Sequence, residues 1–142
     1  ARAHRKLYQS NLGVRLDFRI AFAGSDAAGR EGDVMTVHVL GETYTLNFIP
    51  EENDEGLKDC DGYCDETIKT LVVKQYKRGE PGSKKALDLQ EKKNFRHEII
   101  HAFLYESGLA ENSAWAQEEE MVDWFAKQFP KLAVAFREVD AL

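Results

Sequence analysis

Apolar residues change their period halfway along this chain, and that change limits its fold more than any other feature. Val14, Leu16, Phe18, Ile20 and Phe22 alternate without a break, which is the period of a half-buried strand. Val34–Leu40 and Thr43–Ile49 flank Gly41-Glu42, a two-residue linker with glycine first that suits a type II′ hairpin. Thr67–Gln75 is β-branched and apolar enough for a further strand. Beyond Arg78-Gly79-Glu80-Pro81-Gly82 the period becomes helical. Leu87, Phe95, Ile99, Phe103 and Leu104 recur behind Ser83 as a cap, and Gly108 supplies a stop. These signals predict a helix over about 84–106. Asn112 or Ser113 caps a second helix to about 128, with Trp115, Met121, Val122, Trp124 and Phe125 on its apolar face. Pro130 then sets off a short third helix. Strands first and helices afterwards imply an α+β fold: a small, mainly antiparallel sheet from 14–76, packed on the helix at 84–106 and the helix after it.

Length and charge narrow the function classes. The 142 residues make one domain, 1–142, with no room for a barrel or a second lobe. A net charge of −6 argues against general nucleic-acid binding, which needs surplus positive charge. No run of about 18 apolar residues is present to span a membrane. The basic start, ARAHRKLYQSNLG, has no apolar run after it and does not read as a secretory signal. Cys60 and Cys64 are too few for a disulfide framework. The expected location is cytoplasmic.

Residues 97–101 read His97-Glu98-Ile99-Ile100-His101. Two histidines four apart on a helix point the same way, about 5–6 Å apart, and together can bind one Zn²⁺. Glu98 sits at the rim of that face, where it reaches a water beside the ion rather than the ion itself. The bland alternative is a pair of histidines on a half-buried helix. Against it, the pattern lies in the best helix of the chain, its two variable positions are apolar, and a third ligand is available. No histidine follows His101, so that ligand must come from the carboxylates of the next helix: Glu118, Glu119, Glu120 or Asp123.

HEIIH followed by a glutamate on the next helix resembles the gluzincin zinc metallopeptidases. In that family the third-ligand Glu is followed four positions later by an Asp, and Glu119 and Asp123 match. The resemblance implies His97, His101 and Glu119 as ligands, Glu98 as catalytic base, and Asp123 as the carboxylate that orients His97. It also implies a peptide or protein substrate. The stretch from CDGYCDETIKTLVV through RHEIIHAFLYESGL to WAQEEEMVDWFAKQFPK is similar to short metallopeptidases of phages and prophages, over about 56–136. Larger gluzincins take an oxyanion donor from a second lobe. Here the options are Tyr105, Tyr63, Tyr76 and His38.

Other features have plainer readings. Residues 51–66 carry eight carboxylates against Lys58 and read as loop. Cys60 and Cys64 lack the partners of a structural zinc site and fit a turn at Asp61-Gly62 with one buried thiol. Thr67–Gln75 is either a core strand or, as the resemblance implies, a sheet edge that pairs with extended substrate. Residues 74–96 carry Lys74, Lys77, Arg78, Lys84, Lys85, Lys92, Lys93 and Arg96, a solvated face or a DNA-recruiting patch as in SprT-like proteases. The expected function is therefore zinc-dependent peptide hydrolysis. The alternatives are a weakly active or inactive zinc-binding regulatory domain, and a DNA-associated protease.

Overall fold

A computed structural model describes residues 34–142; the expected strand at Val14–Phe22 lies outside them. The fold is α+β. A four-stranded mixed sheet is built from β1 (Met35–Val39), β2 (Glu42–Pro50), β3 (Gly62–Asp65) and β4 (Thr70–Gln75), in the order β1-β2-β4-β3. The helices are α1 (Leu87–Glu106), the short α2 (Leu109–Asn112) and α3 (Glu119–Glu138).

β1 and β2 form the expected hairpin, one residue earlier than its linker suggests. Val39 pairs with Glu42, so the turn residues are Leu40 and Gly41, with φ of 47° and 90°. Two positive φ values define a type I′ turn rather than type II′. β2 and β4 run parallel, which requires a long crossover. The acidic segment supplies it, and it is more ordered than a loop. It holds two 3₁₀ turns, at Glu51–Asn53 and Glu55–Leu57, and then β3, antiparallel to β4. β4 is therefore an inner strand, which favours the core-strand reading of Thr67–Gln75 over the sheet edge. Among the described residues β3 is the outer strand on that side.

α1 lies between the sheet and α3, touching β3 and β4 on one side and α3 on the other. It starts at Leu87, not 84, and Ser83 does not cap it. The two variable positions of the HEIIH motif face opposite layers. Ile99 packs into the sheet core of Val39, Tyr44, Leu71 and Ala102, while Ile100 packs against Leu104, Ala116 and Val122. Glu91, buried at 1% exposure, takes both arms of the Arg78 guanidinium at 2.7 Å and the Tyr76 backbone N–H at 3.0 Å. That fork ties the chain after β4 to the first turns of α1.

α3 differs most from the sequence reading. It starts at Glu119 and runs through Pro130 as one helix. Its inward residues are Val122, Ala126 and Ala133, whereas Trp115 and Trp124 each stay 52% exposed. Trp124 lies about 200° round the helix from Val122. Proline has no N–H, so the carbonyl four residues earlier, Ala126, loses its helical donor. Arg96 of α1 replaces it, with Nε donating to that carbonyl at 2.5 Å. Arg96→Met should therefore destabilise the fold by about 1–3 kcal/mol, the cost of an unpaired buried carbonyl. In a Pro130→Ala background, where residue 130 donates instead, the same change should cost much less. Denaturant midpoints of the four proteins would check this.

Candidate metal centre

α1 sets the centre because four residues make slightly more than one turn, so His97 and His101 share a face. α3 packs against that face. After Gly108 (φ 78°), α2 and a 3₁₀ turn at Ala114–Gln117 carry the chain back, and Glu119 opens α3 beside both imidazoles.

His97 Nε2 lies 3.0 Å from Glu119 Oε2, His101 Nε2 lies 3.1 Å from Glu119 Oε1, and the two Nε2 atoms are 3.1 Å apart. A tetrahedral ion with bonds of about 2.0–2.1 Å holds its ligand atoms about 3.3 Å apart. The three side chains thus converge at metal-ligand spacing and are close enough to hold an ion. Among the described residues no other such group of His, Cys, Asp and Glu occurs. Asp123, one turn along α3, is 3.3 Å from His97 Nδ1. It fixes the ring and leaves Nε2 for the ion, the usual arrangement behind a ligating imidazole. Glu118 and Glu120 take no part in the group.

Glu98 lies at the rim of the His97–His101 face, about 100° round α1 from His97, and turns toward the sheet. It is buried, with its carboxylate against β3. A Cβ built on Gly62 would stand 3.0 Å from Glu98 Oε1 and 2.8 Å from the Val72 carbonyl. Only glycine allows that approach. Gly62 therefore belongs to β3 and to this site, not to a free turn, and Asp61-Gly62 in an acidic run gave no sign of it.

The electrostatics follow from this packing. Burial alone would lower His97, but hydrogen bonds to Asp123 and Glu119 outweigh it and lift the ring to about 9. Burial would raise Glu119, but His101 and His97 hold it at about 2. His97, then Lys93, holds Asp123 well below the carboxylate range. Burial pushes Glu98 up, against the pull of His97 and His101.

The signs give a pH dependence. Without metal, the raised His97 stabilises the fold at low pH and loses that contribution as pH rises from about 6.5 through about 9. The depressed Glu119 contributes above about 4.5, and its contribution is lost as pH falls through about 2. A metal needs the His97 lone pair, so uptake at pH 7 should expel about one proton per ion. Affinity should rise about tenfold per pH unit up to about 9 and then level off. Calorimetry in buffers of different ionisation enthalpy would count the proton.

Of the four hydroxyl or imidazole candidates, three are engaged elsewhere. Tyr63 donates to Asp54 at 2.6 Å, Tyr76 accepts from Asn94 at 2.9 Å, and His38 of β1 pairs with Thr43 of β2. Tyr105 lies four residues past His101 and seven past Glu98, on the same face of α1. The charges of Glu66, Glu119 and Glu98 act on its phenol, which burial pushes up. Cys60 Sγ donates to the Gly56 carbonyl at 3.0 Å. Cys64 packs into the sheet core, and burial pushes its thiol up to about 12.

The basic run at 74–96 is largely spent within the chain. Lys74 pairs with Glu51, Lys77 with Glu52, Arg78 with Glu91 and Lys93 with Asp123, and Arg96 serves α3. Among the described residues, no helix is long and apolar enough to cross a membrane. No family model, no curated protein and no solved structure matches this chain.

Proposed function

We propose that the protein is a zinc-dependent peptidase of minimal zincin-like build. The observation that carries this reading is the meeting of His97, His101 and Glu119 at metal-ligand spacing beside a buried Glu98. Two imidazoles and one carboxylate are the donor set of a catalytic zinc site, which keeps its fourth position open. When bound, the ion supplies Lewis acidity, polarising a peptide carbonyl and making water acidic at neutral pH.

The chain's own groups do the rest. Glu98 takes a proton from the attacking water as the new C–O bond forms. It hands that proton to the amide nitrogen as the C–N bond breaks, so the base is regenerated. Its burial supports this role, because a carboxylate raised toward neutrality both accepts and returns a proton readily. Tyr105 is our choice for the hydroxyl that would meet negative charge on the carbonyl oxygen, since long helical side chains lean back toward the N-terminus and so toward His101. Among the described residues β3 is the outer strand on that side of the sheet, and its backbone groups would serve an extended peptide next to the base that its Gly62 touches.

We rank the DNA-associated reading below ours, because five of the eight cations at 74–96 have partners within the chain. The inactive zinc-domain reading differs from ours only in turnover. The test is metal analysis of the purified protein, with cleavage of an unfolded-protein or peptide library. About one zinc per chain and cleavage stopped by a chelator are expected. Tyr105→Phe should keep its zinc and lose about 10²–10³ in kcat, the usual cost of one oxyanion donor. Zinc without cleavage under any condition would favour the regulatory reading.

A further inference from the structure

We infer that Lys93 is a positioning residue that holds the metal centre below its maximal affinity. The inference rests on the metal-centre reading above. Lys93 stands one turn before His97 on α1, and its side chain is only 17% exposed. Its Nζ donates to Asp123 Oδ1 at 2.6 Å. The same oxygen faces His97 Nδ1 at 3.3 Å. One carboxylate oxygen thus serves two donors, and the lysine has the shorter bond. With most of its side chain covered, Lys93 does not fit a purely solvated helix face.

Two consequences point the same way. A carboxylate drawn toward Lys93 pulls less on the His97 N–H, so the ring is a weaker donor to a metal. Charge balance adds to this. Glu98, Glu119 and Asp123 bring three negative charges when ionised, a divalent ion brings two positive ones, and Lys93 brings the third. The loaded centre is then neutral in a half-buried place, but the lysine also repels the incoming ion. Removing its charge strengthens the site for the metal on both counts. A weaker ligand set leaves the ion a stronger Lewis acid, so Lys93 exchanges affinity for reactivity.

The experiment measures zinc affinity of the full chain by chelator competition at one pH and ionic strength. Lys93→Met should bind zinc about tenfold more tightly than wild type and release it more slowly, within the range for groups behind a ligand. Lys93→Arg, which keeps the charge, should match wild type. The cobalt(II) absorption bands should be unchanged in both, showing the same ligands. Should Lys93→Met fold poorly by circular dichroism, Lys93→Gln serves in its place. Unchanged or weaker zinc binding in the folded neutral variant overturns the inference and leaves the metal centre standing. A purely structural lysine would lower thermal stability without tightening zinc. If the wild type binds no zinc, the metal-centre reading falls and this inference with it.

Discussion

Glu98→Gln is expected to abolish peptide cleavage while the protein keeps its zinc. The amide has nearly the same shape as the carboxylate but cannot accept the proton of an attacking water. Loss of a positioned general base costs about 10²–10⁴ in rate. The side chains that converge at metal-ligand spacing are His97, His101 and Glu119, not Glu98, so on the proposed reading metal content should match wild type. A second readout separates lost chemistry from damage to the fold. Burial raises the Glu98 pKa in the folded protein, so holding the charge there at neutral pH costs stability. A group raised in this way contributes stability at low pH and loses it as pH rises through its folded value. The neutral amide removes that cost, and metal-free Glu98→Gln should melt above metal-free wild type at pH 7. Cleavage retained in this variant would remove Glu98 from the mechanism.

Glu119→Ala and His97→Ala are each expected to lower zinc from about one per chain to a small residue after dialysis against a chelator. Both changes leave two protein ligands where a catalytic zinc site has three. They should differ in their effect on the metal-free protein. Glu119 accepts from both imidazoles, and these bonds support the fold above about pH 4.5. Losing it removes one of the two carboxylates hydrogen-bonded to His97, so the pH dependence of metal-free stability should shift toward that of an ordinary histidine. His97→Ala instead leaves Asp123 to Lys93 alone. Full zinc in Glu119→Ala would mean that the third ligand lies elsewhere.

The site was far more legible in the sequence than the sheet around it. Helical spacing is local, so HEIIH could be turned into a face without knowing the fold, while the family resemblance singled out Glu119 and Asp123 from four carboxylates. The structure brings those residues together. β3 was hidden because a four-residue strand, Gly62-Tyr63-Cys64-Asp65, sits inside an acidic run whose composition signals a loop. The parallel pairing of β2 with β4 is a long-range choice, and among the described residues it makes Thr70–Gln75 an inner strand and β3 the outer one. Pro130 read as a break because propensity is a local rule. Arg96, 34 positions earlier in the chain, overrides it.

That substitution of an arginine for a missing backbone amide has a consequence for the order of assembly. The second half of α3 is not an autonomous helix, since the donor that completes it arrives only when α1 has docked. The same docking brings Glu119 to the two histidines. Completion of residues 127–138 and creation of the metal site therefore belong to one cooperative step. An ion that ties α1 to α3 at one end should slow amide hydrogen exchange at the other, far beyond its own ligands.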